Sequence, residues 1–131
     1  MIDLVVDHTY IEALINQNNE KHEIAEKISE HIHDRQKLYL PNHELVIIMN
    51  ENKEYITESQ ELFKILYEAT KIDFSLTKKK YYESYRKFKT KSKLSFTDYL
   101  TINVMKENNL KYILSFNEEF DDVPEITRVY K

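Results

Sequence analysis

Apolar residues recur along this chain at two spacings. Ile2 to Val6 is a short run, rich in β-branched residues and closed by Asp7, which is the pattern of a buried strand. Tyr10, Ile11, Leu14 and Ile15 follow at helical spacing, with Asp7 or Thr9 placed to cap them, until Asn16-Gln17-Asn18-Asn19 breaks the pattern. Ile24, Ala25, Ile28 and Ile32 form one face of a helix predicted over 20–34. Leu38-Tyr39-Leu40 predicts a second strand, ended by Pro41. Asn42 is expected to cap a helix through Met49, and Leu62, Phe63, Ile65 and Leu66 predict another over 57–69. A strand is expected at 71–74, and Thr77 opens a lysine-rich helix. Ser95-Phe96-Thr97-Asp98 fits the S-x-x-D capping pattern, so a helix should run to Asn109. Strands over 111–116 and 125–130 complete the alternation. Strands alternating with helices predict an α/β fold with a mostly parallel central sheet.

Composition then removes whole classes of chemistry. The 131 residues include no glycine and no cysteine. Phosphate-cradling loops of the GxGxxG or GxxxxGK[ST] type need backbone that only glycine tolerates, and so does a GxSxG nucleophile elbow. Disulfides, thiolate zinc sites and cysteine nucleophiles are excluded as well. The longest apolar run, Leu45 to Met49, is too short to span a bilayer. The first residues carry no basic leader pattern. One soluble, cytoplasmic domain over 1–131 is the expectation.

The formal net charge of -4 is unevenly spread: residues 1–70 carry a net -8, residues 71–93 a net +7 and residues 94–131 a net -3. In the basic block Tyr81, Tyr82, Tyr85 and Phe88 alternate with Lys78, Lys79, Lys80, Arg86, Lys87, Lys89 and Lys91. One reading is a phosphate-contacting surface with rings free to stack. The other is an amphipathic helix with its rings in the core and its lysines in water.

Acids cluster where sites form in parallel sheets, outside the carboxyl ends of the strands. Asp7 follows the first strand, Glu44 lies just past the second, and Ser115, Asn117, Glu118 and Glu119 follow a later one. Asp98 opens a helix beside the same edge. Without thiolates, such a group suits a hard cation, Mg²⁺ or Mn²⁺, of the kind that assists phosphodiester hydrolysis. The alternative is structural, with Asp7 and Asp98 as helix caps and 118–122 as a solvated turn. His31 and His33 project from one helix in different directions and cannot share an ion. His8 and His43 lie near the proposed pocket mouth and are candidates for a substrate phosphate.

Two segments resemble the PIN domain family. Val5-Val6-Asp7-His8-Thr9-Tyr10-Ile11 resembles its opening, an apolar strand ending in Asp with a Thr or Ser close behind. Leu94-Ser95-Phe96-Thr97-Asp98 and Tyr112-Ile113-Leu114-Ser115-Phe116-Asn117 resemble its C-terminal half, which reads roughly L-S-x-x-D and then Y-I-L-T-F-D. The resemblance implies a three-layer sandwich and Mg²⁺- or Mn²⁺-dependent RNA cleavage. It also implies an antitoxin partner, since many small members are toxins, and a homodimer. No reading of DNA sequence and no membrane partner is expected.

Carried over residue by residue, Asp7 and Asp98 match two of the family's acids and would hold the ion. The strand-end Asp is Asn117 here, a neutral ligand or water-positioning amide, and Ser115 stands in place of Thr. Counting from Pro41, the family's helix-borne Glu falls on Ile47. Glu44 and Glu51 lie one turn either side, and Glu44, which a shifted alignment places in the family position itself, is the candidate. Thr9, Arg86, Lys87, Lys89 and Lys91 are the candidate substrate contacts. The departures at 117 and 47 also admit a catalytically impaired RNA-binding or protein-interaction module.

Overall fold

A computed structural model of the chain describes residues 2–32, 36–54, 70–72, 77–90 and 93–129. The helix expected over 57–69 and residue Lys91 lie outside these. In chain order come β1 (Ile2–Val6), α1 (His8–Ile15), α2 (His22–His31), β2 (Gln36–Pro41), α3 (Asn42–Glu51), β3 (Thr70–Ile72), α4 (Lys78–Phe88), α5 (Phe96–Glu107), β4 (Tyr112–Leu114), a 3₁₀ turn (Glu118–Asp122) and β5 (Thr127–Arg128).

The five strands form one sheet in the order β3-β2-β1-β4-β5, every neighbouring pair parallel. β1 is central and bears the core of both faces. Successive strand residues point to opposite faces. Leu4 and Val6 accordingly pack with Tyr10, Ile11, Ala25, Ile28 and Ile48 on one side. Val5 packs with Ile102, Met105, Ile113 and Phe120 on the other. Two buried faces are what a parallel sheet requires, and they give the three layers.

Order and connectivity together locate a crevice. From β1 the chain builds outward through β2 to β3, then returns to the other side of β1 for β4 and β5. β1 and β4 therefore flank the point where strand order reverses, where ligand sites form at the strands' carboxyl ends.

Several local expectations hold and some change. Asp7 caps α1, its side chain accepting the Tyr10 N–H. The Ser95–Asp98 capping box is complete. Thr77 caps α4 by accepting the Lys80 N–H. The cap of α3 is Pro41 rather than Asn42, which is already the first helical residue. Proline's fixed φ suits the turn from strand to helix, and its missing N–H would have no helical partner there. The last two strands are shorter than expected, because the acidic residues after β4 wind into the 3₁₀ turn.

α5 ends in a left-handed residue without using glycine. Asn109 has φ 54°. The Leu110 N–H reaches the Met105 carbonyl at 2.8 Å and the Asn109 N–H reaches that of Lys106 at 3.3 Å. This double closure satisfies the last carbonyls of the helix, and it turns Leu110 into the core beside Met105.

The basic helix α4 differs most from its amphipathic reading. Its one buried residue is Ser84. Tyr81, Tyr82, Tyr85 and Phe88 are all exposed. Tyr81 and Tyr85 stack on each other, and Phe96 takes edge contacts from Tyr81 and Phe88. A polar bond from Asn103 to Ser84 thus anchors the helix where apolar packing was expected.

Candidate active site

The carboxyl ends of β1 and β4 meet at Asp7 and Ser115. Val6 and Leu114 are register partners, so the residues that follow them emerge side by side. The Ser115 hydroxyl donates to Asp7 Oδ2 at 2.5 Å and accepts the Asn117 N–H at 3.0 Å. Thr9 donates to Asp7 Oδ1 at 2.6 Å and accepts the Phe116 N–H at 2.9 Å. Asp7 is completely buried. Burial, and then the charge of Glu44, pushes its carboxyl up to about 7.

Glu44 enters from the first turn of α3 and is also fully buried. Its Oε2 accepts the His8 N–H at 2.9 Å and the His8 ring Nδ1 at 2.5 Å. Its Oε1 accepts the Thr101 hydroxyl at 2.6 Å, and His43 Nε2 lies 2.6 Å from that same hydroxyl. Burial opposes charge on Glu44, but the bonds and charge of His8 prevail and hold it below the usual carboxylate range. Burial also opposes the His8 cation, yet Glu44 raises it to about 9. Burial pushes His43 down.

Asp98, on the first turn of α5, is 4% exposed. Its Oδ2 accepts the Ser95 N–H at 3.0 Å and the Asn117 amide at 3.1 Å. Burial raises its pKa, and the charge of Glu44 adds to the rise. Asn117 uses its carbonyl oxygen to accept the Glu119 N–H at 3.1 Å, capping the 3₁₀ turn. The nitrogen is thereby turned toward Asp98. Arg128 fixes this wall, pairing with Asp121 and donating to the Ser115 carbonyl at 3.3 Å.

The structure brings Asp7, Glu44, Asp98, Ser115 and Asn117 to the same edge of the sheet, with Thr9, a candidate substrate contact in the sequence, bonded to Asp7 and to the Phe116 N–H. Ile47 is only partly buried, while Glu44 one turn earlier reaches the site. Glu51 is exposed and interacts with Glu12 instead. Thr101 escaped the sequence reading. The available signal was its spacing, since it lies three residues after Asp98 and so on the same helical face. His8 and His43 do reach the site, but as partners of Glu44 and Thr101.

α4 and α5 run antiparallel, as three pairings establish. Lys80 pairs with Glu107, Ser84 bonds Asn103 and Phe88 meets Phe96. The end of α4 that carries Arg86, Lys87 and Lys89 thus lies beside the end of α5 that carries Asp98. A cleft of about 600 Å³ opens there, lined by Lys87, Lys93, Tyr99, Lys106, Glu119 and Asp122 among others.

The donor set suits a hard divalent cation. It consists of buried oxygens, and burial together with the charge of Glu44 raises the pKa of two of its acids. Among the described residues, no three His, Asp or Glu side chains already stand close enough to hold one ion. Nor is any helix there long and apolar enough to cross a membrane.

The family described as the PIN domain matches residues 4–126, and the chain belongs to it. Solved structures show the same fold. Mycobacterium tuberculosis VapC20, a sarcin-ricin loop cleaving toxin, superposes with a TM-score of 0.73 at 14% identity, covering 94% of this chain and 96% of its own. A toxin-antitoxin complex from Klebsiella pneumoniae gives 0.68 at 16% identity, with 95% of each chain covered. VapBC2 from Rickettsia felis, bound to a DNA fragment from its promoter, gives 0.63 at 15% identity, with 97% of each covered. No curated protein sequence matches the chain.

Proposed function

We propose that this PIN domain is a divalent-metal-dependent endoribonuclease, acting as the toxin of a toxin–antitoxin pair. The observation that carries the reading is the gathering of buried Asp7, Glu44 and Asp98 at the switch point of the sheet, with Glu44 near enough to raise the pKa of both aspartates.

Asp7, Asp98 and Glu44 would hold Mg²⁺ or Mn²⁺, with Asn117 as the neutral group beside Asp98. The bound ion would supply a nucleophile at neutral pH and offset charge on the phosphate. The chain's own groups do the rest. Ser115 and Thr9 fix both oxygens of Asp7. Asn117 and Ser95 fix Asp98, and Thr101 and His8 fix Glu44. Arg86, Lys87 and Lys89 attract the RNA backbone, and the exposed rings of α4 offer stacking surfaces. The relatives that are toxins or toxin–antitoxin complexes support an antitoxin partner. A homodimer, one domain over the whole chain and a cytoplasmic location belong to the same proposal.

Asn117 favours a second reading, an RNA- or protein-binding module without catalysis, because the fourth position carries no charge. Incubating the protein with a broad set of structured and unstructured RNAs, with Mn²⁺ or with chelator, separates the two. Cleavage that needs Mn²⁺ and disappears in Asp98→Asn supports the nuclease. Retention of RNA without cleavage in either condition supports the module.

A further inference from the structure

The cleft beside the acidic group has walls of three kinds. Its volume of about 600 Å³ lies within the range of about 300–1,000 Å³ usual for ligand sites. Tyr99 and Ile102 give it an apolar floor with Val123, continuous with the core on that face of the sheet. Lys87 from the end of α4, Lys93 from the segment entering α5 and Lys106 from α5 itself supply cations. Glu119 and Asp122, both on the 3₁₀ turn, supply carboxylates. Lysines thus come from the helical side and acids from the turn. The cleft also shares a wall with the acidic group. Tyr99 follows Asp98 on α5, and Asn117 accepts the Glu119 N–H while its own amide reaches Asp98.

We propose that this cleft is a subsite for one nucleotide of the RNA strand, next to the nucleotide whose phosphate meets the acids, and that Glu119 reads its base. The three walls match the three parts of such a ligand. Lysines suit the phosphate, the apolar floor suits the flat ring, and a carboxylate suits the hydrogen-bonding edge of an unstacked base. An ionised carboxylate only accepts hydrogen bonds, through two oxygens side by side. Guanine presents two neighbouring donors, N1–H and N2–H₂, on its Watson–Crick edge. On the same edge adenine, cytosine and uracil set an acceptor beside each donor, and that acceptor would face a carboxylate oxygen. Glu119 is half-buried, so a base that fails to match it leaves polar groups short of both water and a partner. The subsite therefore favours guanosine. The inference rests on the RNA-cleaving reading above and deepens it by naming the base.

The test measures binding of short single-stranded uridine RNAs, either unbroken or carrying one central guanosine, adenosine or cytidine, by fluorescence anisotropy in chelator, which keeps the RNA intact. The wild type should bind the guanosine strand about fivefold or more tightly than the others, the scale of one bidentate base contact. Glu119→Gln keeps the shape but turns one acceptor into a donor. It should lose the guanosine preference and bind the all-uridine strand at least as well. Lys93→Ala with Lys106→Ala should weaken binding of every strand more than Lys21→Ala with Lys27→Ala. The second pair removes the same charge from α2, which packs on the opposite face of the sheet. All four lysines are exposed, so these changes leave the core intact. RNA binding without a guanosine preference, a preference that survives Glu119→Gln, or equal losses in the two lysine pairs would overturn the inference and leave the nuclease reading standing. No binding of any strand by the wild type would overturn the RNA reading itself, and the inference with it.

Discussion

Ser115 and Asp7 are 108 residues apart in sequence, yet their side chains share a 2.5 Å hydrogen bond. The bond follows from the parallel register of β1 and β4, which places the residue after Val6 beside the residue after Leu114. Much of the site's chemistry depends on what surrounds that buried acid.

The metal-free protein should lose stability as pH rises. Asp7 moves from 3.8 to about 7 in the folded chain, and His8 from 6.5 to about 9. Between those limits the folded state holds more protons than the unfolded chain, so stability falls with pH. Asp98, also raised, adds to the fall. Glu44 has the opposite sign, but its contribution is lost only as pH falls below its ordinary 4.5. Thermal unfolding in chelator from pH 5 to 9 should show a declining Tm. Asp7→Asn should flatten the lower half of that decline and raise the Tm at pH 8. A Tm independent of pH would contradict the assignment.

Asn117→Asp tests the charge missing from the fourth position. The new carboxylate can still cap the 3₁₀ turn but meets Asp98 as a like charge in place of an amide donor. Without metal the variant should melt lower than wild type at pH 8. With metal it should bind Mn²⁺ more tightly and cleave faster. Weaker Mn²⁺ binding would show that residue 117 lies outside the ion's reach.

Thr101→Val removes a hydroxyl and little volume. Glu44 Oε1 and His43 Nε2 both lose their bond to that hydroxyl. Stranding buried polar groups costs about 1–3 kcal/mol. Urea unfolding at pH 7 should reveal a loss of that size, and a negligible loss would mean water replaces the hydroxyl.

Reversing the charge of Arg86, Lys87 and Lys89 together tests the substrate surface. Lys80 is unsuitable because it already pairs with Glu107. RNA affinity should fall. Its dependence on salt should fall too, by about 0.7 in logarithmic slope for each phosphate of a single strand that the variant no longer neutralises. Unchanged affinity would assign the basic end of α4 to another partner.

The sequence made some of this legible and hid the rest for physical reasons. Asp7 and Asp98 were readable because strand-end and cap positions leave local marks. Glu44 was harder, since the Pro41 turn shifts the count along α3 and only burial separates it from Ile47 and Glu51. Thr101 and the double hold of His8 were hidden because they arise between helices distant in sequence. The exposed rings of α4 ran against their periodicity, since a bond from Asn103 to Ser84 fixes that helix and no local pattern signals it.

The central claim is that Asp7, Glu44 and Asp98 form one metal site. Calorimetric titration of Mn²⁺ into wild type, Asp7→Ala and Asp98→Ala tests it without knowledge of the RNA. The account predicts a single site of micromolar to low-millimolar affinity in the wild type, lost in both variants. No Mn²⁺ binding by the wild type, or binding that survives both substitutions, would contradict it.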